Sequence, residues 1–282
     1  VGEFIAEKGK AVRIENHLLV DDPRIQPYIP APRGWIPSIT IKPEMLLEHY
    51  TATTSLVDAF ASRYFAHLYI DENGLIYQRV PLNKYACHAG VSVWGGRNDL
   101  NAYSHGIEHV NFGFVYKNWK GQYYRDGKFV DPAWVMDAPH RLQASLRYWV
   151  RYPEKQLISS WDVTKCLDDH YHYVDVVGHE DVTAKVDPGP AYPLVGIKDA
   201  IYGYEINSLF MVSRSWGGSQ VGLGGVSLKW LPNDYSPSKI WCNAGTVVKK
   251  LEWFGRWVKV IRTGDSKFGW IKECYLRRIL GE

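Results

Sequence analysis

Short apolar runs separated by polar, glycine-containing segments dominate the first two thirds of the chain. They predict strands at Met45 to His49, Phe65 to Ile70, Leu75 to Val80 and Ile107 to Val115. Asp71-Glu72-Asn73-Gly74 is a turn joining the second and third of these into a hairpin. Leu56 to Arg63 has room for a short helix. A longer helix is predicted from Pro153-Glu154, because proline at the first helical position and an acid in the first turn are start signals. Leu157, Ile158, Trp161 and Leu167 would form its inner face, ahead of a strand at Tyr173 to Val177. Alternating strands and helices give an α/β class, with a central mixed β-sheet flanked by helices. Residues 13–43 are proline-rich and without periodicity, which reads as an extended wrap.

After Ile201 to Ser215 the pattern changes. Val226 to Leu228, Thr246 to Leu251, Trp257 to Ile261 and Gly269 to Ile271 are closely spaced short strands with glycine and asparagine turns, the signature of a small all-β barrel. The expected organisation is a first domain over residues 1–200, a linker over 201–215 and a second domain over 216–282. A chain of 282 residues with 46% hydrophobic content can bury one substantial core and a smaller second one.

Charge narrows the classes of partner. The 33 basic and 30 acidic residues are spread without long runs, so the formal charge of +3 does not make the one-sided basic stripe of a nucleic-acid binder. A mildly basic surface still suits an anionic polymer. The 12 tryptophans and 19 tyrosines fill cores by default, yet their flat faces also stack on sugar rings. No run approaches the roughly 20 apolar residues of a membrane span, and the N-terminus lacks a signal-peptide pattern, so a soluble chain is expected. The four cysteines form no Cys-x-x-Cys pair; Cys242 and Cys274 could pair in an oxidising compartment, and buried free thiols are the favoured reading.

The candidate chemistry lies in the polar segment from Gly178 to Pro190. His179 and Asp187 are possible ligands of a divalent metal, and Lys185 between them offers a positive charge to whatever the metal polarises. A polar surface loop is the competing reading. His49, at the end of an apolar strand, is a candidate third ligand, rigidly held yet open to a cleft, although such a histidine is also a common core or edge residue. Side-chain alternation puts Glu108 on one face of its strand and His105, Ile107 and His109 on the other. If Glu108 faces the cleft, the two histidines are not ligands. His67, between Phe65 and Tyr69, reads as a hydrogen-bonded core histidine. The aromatic segment from Tyr116 to Trp149 could wall a cleft and stack on a sugar, or be partly buried without function.

Five motifs in order carry a resemblance: His49-Tyr50-Thr51-Ala52, His67-Leu68-Tyr69-Ile70-Asp71-Glu72-Asn73-Gly74, His88-Ala89-Gly90, Gly106-Ile107-Glu108, and Gly178-His179-Glu180-Asp181 with Asp187-Pro188-Gly189-Pro190. Together they resemble the zinc-dependent N-acetylmuramoyl-L-alanine amidases of the type-2 amidase and peptidoglycan-recognition fold, over roughly residues 12 to 200. The loop holding Thr183-Ala184-Lys185 is shorter than in many members. The resemblance implies one catalytic Zn2+ on His49, His179 and Asp187, catalysis by Glu108 and Lys185, and substrate contacts by His88 and Asn101. It implies cleavage of the amide between N-acetylmuramic acid and L-alanine of peptidoglycan or a muropeptide, at the bacterial cell wall, by a periplasmic, secreted or phage-encoded enzyme. A monomer is expected. A non-catalytic peptidoglycan receptor and a zinc peptidase acting within the stem peptide stay open as alternatives. The motifs Gly245-Thr246-Val247-Val248, Gly255-Arg256-Trp257-Val258 and Gly269-Trp270-Ile271-Lys272 resemble a bacterial SH3 domain, which implies wall binding by the C-terminal region.

Overall fold

The computed structural model of the chain describes residues 11–32, 38–202, 209–212, 225–229, 237–243, 246–254, 257–272 and 276–278. In chain order its elements begin with a hairpin of Arg13–Glu15 (β1) and Leu18–Val20 (β2), followed by Met45–Tyr50 (β3), Leu56–Ala61 (α1), Leu68–Ile70 (β4) and Ile76–Gln78 (β5). Val93–Trp94 (β6) and Arg97–Asn98 (β7) form a ladder of their own. Then come Ser104–His109 (β8), Phe114–Lys117 (β9), Tyr123–Arg125 (β10), Lys128–Val130 (β11), Val135–Asp137 (β12) and Tyr148–Val150 (β13). Glu154–Tyr171 (α2), Asp175–Gly178 (β14), His179–Val182 (α3) and Leu194–Tyr202 (α4) follow.

The central sheet has the order β14-β3-β8-β4-β5. Its first four strands are parallel and β5 is antiparallel, so the sheet is mixed. Leu46, Leu47, Leu68, Ile70, Ile76, Ile107, Val176 and Val177 are fully buried in it. Such continuous apolar runs are what a sheet buried on both faces requires.

Helix α2 departs from the expected packing. Its buried stripe is Gln156, Ser159, Ser160, Val163, Thr164 and Leu167, whereas Leu157, Ile158 and Trp161 are only half-buried. Unpaired polar groups at the sheet explain this choice. Gln156 Nε2 donates to the carbonyls of Ile70 and Val110, Ser159 Oγ donates to that of Gly74, and Thr164 Oγ1 donates to the buried Glu48. Each would be costly to leave unsatisfied in the interior.

Two further expectations change. The wrap contains the β1–β2 hairpin, turned by Asn16 and His17 at positive φ. The strand foreseen over Ile107 to Val115 breaks at Gly113, whose φ of 72° and close approach to the Tyr50 ring leave no room for a side chain. Beyond that break β9 to β13 form a separate antiparallel sheet, ordered β11-β10-β9-β13-β12.

The chain divides into one unit of Val1–Val91 with Asp99–Leu194 and another of Ser92–Asn98 with Val195–Glu282. The second contains Leu209–Val212 (β15), Gly225–Lys229 (β16), Ser238–Asn243 (β17), Val247–Phe254 (β18), Trp257–Arg262 (β19), Phe268–Lys272 (β20) and Leu276–Arg278 (β21). They make one antiparallel sheet, β17-β16-β20-β19-β18-β15-β21, over a core of Leu228, Cys242, Val248, Val258, Val260 and Ile271. β15 falls within the stretch read as a linker. Cys242 is a buried free thiol; Cys274, Gly245, Gly255 and Arg256 lie outside the described residues. Among the described residues no helix is long and apolar enough to cross a membrane.

Candidate metal centre

Three neighbouring parallel strands end at the same edge of the central sheet, and each delivers a polar side chain there. His49 is near the end of β3, Glu108 stands beside it in register on β8, and His179 follows directly after β14. Crevices outside the carboxyl ends of parallel strands are where such sheets bind ligands. The chain then loops back so that Asp187 reaches the same place. This return is held by the Glu180 N–H donating to the Asp187 carbonyl at 2.8 Å and by Tyr152 Oη donating to the Pro188 carbonyl at 2.8 Å.

His49, His179 and Asp187 are all buried, and one potential ligand atom from each lies within 4.8 Å of the others. Asp187 Oδ2 is 3.0 Å from His49 Nδ1 and 2.9 Å from His179 Nδ1. The far side of each ring decides its protonation. His179 Nε2 lies 3.2 Å from the Ala89 carbonyl, which can only accept, so the hydrogen sits on Nε2 and a lone pair on Nδ1. His49 Nε2 is 3.0 Å from His88 Nδ1, and His88 Nε2 is 3.5 Å from Ser104 Oγ, which itself donates to the Leu100 carbonyl at 2.6 Å. That relay runs in one direction, leaving His49 Nδ1 as a lone pair as well.

Two imidazole lone pairs and a carboxylate oxygen therefore converge, an arrangement that calls for a proton or a cation. Burial, followed by the charge of His179, pushes the His49 pKa down to about 4, so a proton is disfavoured. The donor set of two nitrogens and one oxygen fits a zinc site with a position left open.

Around this trio, Glu108 has a buried Oε2 with no hydrogen-bond partner among the described residues, and burial, then the charge of Asp187, lifts its pKa to about 8. Lys185 is exposed, and its charge contributes to the lowered pKa of His49. His88 and Asn101 are buried with their polar atoms engaged inside the protein. Asn101 Oδ1 accepts from the backbone N–H of both His88 and Ala89, each at 2.8 Å. The His88 ring lies over Gly106, where a Cβ would come within 2.5 Å of Nδ1.

The other histidines keep away from the trio's carboxylate. His67 Nε2 donates to the Lys84 carbonyl and its Nδ1 accepts from the Gly106 N–H; His105 bonds Tyr173 Oη and the Leu82 carbonyl. His109 faces Ser160 and the His49 carbonyl. Sequence reasoning did not find the Ala89 carbonyl, since a backbone group leaves no residue-type signal. It also missed His140, which hydrogen-bonds Glu180, and Arg141, which ion-pairs with Glu180 and Asp181, both beside His179 from a segment forty positions away.

Residues 40–190 match the sequence profile of the family described as N-acetylmuramoyl-L-alanine amidase. The N-acetylmuramoyl-L-alanine amidase AmiD of Escherichia coli (strain K12) is 27% identical over 164 residues, 53% of this chain and 50% of AmiD. The chain thus spans about half the length of that curated relative. Among solved structures, E. coli AmiD in complex with anhydro-N-acetylmuramic acid-L-Ala-D-gamma-Glu-L-Lys is 24% identical with a TM-score of 0.44, covering 71% of this chain and 68% of that one. The endolysin amidase LysCS from Clostridium intestinale URNW is 19% identical with a TM-score of 0.41, covering 64% and 95%. The matched residues 40–190 make up more than half of the 282 and include every residue of the converging trio, and on that ground this chain belongs to the N-acetylmuramoyl-L-alanine amidase family.

Proposed function

We propose that the chain is a zinc hydrolase that cleaves the amide bond between N-acetylmuramic acid and L-alanine of the peptidoglycan stem peptide, acting on the bacterial cell wall. The observation that carries this reading is the meeting of His49, His179 and Asp187, with Glu108 one strand away and its Oε2 buried and unpartnered among the described residues. His49 Nδ1, His179 Nδ1 and the Asp187 carboxylate would hold the ion. Zinc bound there supplies a Lewis acid that lowers the pKa of water from 15.7 towards about 7.

The protein's own groups do the rest. Glu108 takes a proton from the attacking water and delivers it to the departing L-alanine amine, without which the tetrahedral adduct would revert to amide. A pKa raised towards neutrality suits a group that must both accept and return a proton. Lys185 faces the charge that develops on the carbonyl oxygen, a contribution of roughly 3 to 4 kcal/mol per donor in comparable sites. His88 and the Ala89 carbonyl, pinned by Asn101, keep the two imidazoles in the tautomer the ion needs. This support stands beside the substrate contacts foreseen for His88 and Asn101.

For the second unit we favour a bacterial SH3 domain that tethers the enzyme to its insoluble polymer and raises its local concentration there. The closely spaced antiparallel strands support that reading. The catalytic unit is taken to work as a monomer, since the trio is drawn from one chain. The decisive experiment couples metal analysis of the purified protein to mass spectrometry of a muropeptide digest. Free peptide with an L-alanine amine is expected; cleavage inside the stem would assign a peptidase, and binding without products would assign a receptor.

A further inference from the structure

The separate sheet of β9 to β13 carries a row of rings that the proposed hydrolysis does not use. Register places Phe129 beside Tyr124 and Tyr124 beside Tyr116, so three aromatic side chains stand abreast on neighbouring strands of one face. They are 68%, 37% and 50% exposed. The row continues inward through Phe114, whose ring centroid is 5.5 Å from that of Tyr116, to Trp149, 6.0 Å further on. Trp149 is fully buried against Gly189, two residues from Asp187. Trp119 projects from the β9–β10 turn at 89% exposure, with Lys120 Nζ 4.9 Å from its ring.

Charge is concentrated on the same ribbon. Residues 116–130 hold Lys117, Lys120, Arg125 and Lys128 against Asp126 alone, four positive charges less one negative, a formal +3. That equals the formal charge of the whole chain, so the rest of the molecule is balanced and the excess sits here. Lys117, Lys120 and Lys128 are exposed, but Lys117, paired with Tyr123 and 5.3 Å from its ring, and Lys128, paired with Arg125, stand on the face opposite the ring row.

We propose that this face binds a glycan strand, with sugar rings stacked on Phe129, Tyr124 and Tyr116. Flat rings abreast suit the C–H faces of successive sugars, and the two tyrosines keep hydroxyls for the sugar oxygens. An aliphatic protein partner would not exploit that flatness. The occupant is taken to be the glycan of the polymer that the metal centre hydrolyses, and in that respect the proposal rests on the amidase reading. The ribbon would grip the strand beyond the scissile bond and lead it towards the loop of Asp187.

The test uses the full chain and two variants, Tyr124→Ala/Phe129→Ala and, as a control on the opposite face, Lys117→Gln/Lys128→Gln. Binding to purified peptidoglycan sacculi is measured by co-sedimentation, turnover on a soluble muropeptide in parallel, and hydrogen exchange of residues 114–130 with and without glycan strands freed of stem peptide. The ring variant is expected to bind sacculi about tenfold more weakly, with unchanged muropeptide turnover. The lysine variant should lose less sacculus binding than the ring variant, and an equal loss in both would overturn the proposal by showing that charge rather than the rings carries binding. In the unmutated protein, glycan should slow exchange across residues 114–130. Wild-type sacculus binding by the ring variant, or no protection of 114–130, overturns the proposal, as does equal protection by duplex DNA. Failure of the unmutated protein to hydrolyse the muropeptide would overturn the amidase reading and leave the glycan result standing.

Discussion

Asn101 shows how one side chain can govern two others it never touches. Its Oδ1 holds the N–H groups of His88 and Ala89, and those two residues hold the outer nitrogens of His49 and His179. Replacing it with alanine frees the segment, so Asn101→Ala is expected to weaken zinc affinity by about 10- to 100-fold. Chelator competition measures this, and affinity within a factor of two of the parent would show that the segment needs no such anchor. Glu108 gives the complementary case, since it lies beside the trio without belonging to it. Glu108→Gln should retain full zinc content while turnover on a muropeptide falls about 10²- to 10⁴-fold; a variant with metal bound and turnover intact would remove Glu108 from the chemistry. Strand alternation set Glu108 apart from His105 and His109, and it was the resemblance to the amidase family that implied its role. The relay through Ser104 was not, because it depends on how the His88 ring lies over Gly106.

At the scale of elements, the parallel strands were readable from their apolar runs, and so was the start of α2. The polar inner stripe of that helix was not, since its serines and glutamine serve carbonyls contributed by distant residues. The sheet of β9 to β13 escaped periodicity for a different reason: Tyr123 and Tyr124 give an aromatic ring to each face, so no alternation of apolar and polar marks the strand. The histidines packed between elements carry a pH consequence. Burial pushes His67 down to about 4 and His105 well below its ordinary value. A folded-state pKa below the unfolded one stabilises the fold above the unfolded pKa, near 6.5, and that stability drains away as pH falls. Each buried neutral histidine costs up to about 1.4 kcal/mol per pH unit below that point. Urea unfolding in chelator, where metal linkage is absent, should show the midpoint falling between pH 7 and pH 5. His67→Gln, which can replace both hydrogen bonds, should flatten that fall, and an unchanged slope would locate the acid sensitivity elsewhere.

Over the whole molecule, the first and last of the five motifs contain the trio that the fold brings together, His49 near the end of β3 and His179 and Asp187 in the segment after β14. The division into two units left a weaker trace, and β15 shows that a stretch without conspicuous pattern still supplies a strand. Metal binding tests whether the two units have separate energetics. An ion that binds only the folded site stabilises it by about 2.7 kcal/mol when free zinc is a hundredfold above its Kd. For a unit of this size that corresponds to a rise in midpoint of roughly 5 to 10 °C. The described members of the trio all belong to the unit that contains β3, so only that unit should respond. Thermal unfolding followed by hydrogen exchange on peptides from β3 and β18 reports each unit by its own strand. Zinc is expected to raise the β3 midpoint and leave β18 where it was, with chelator reversing the shift. A β3 midpoint indifferent to zinc would mean that His49, His179 and Asp187 hold no ion, and the proposed hydrolysis would lose its foundation.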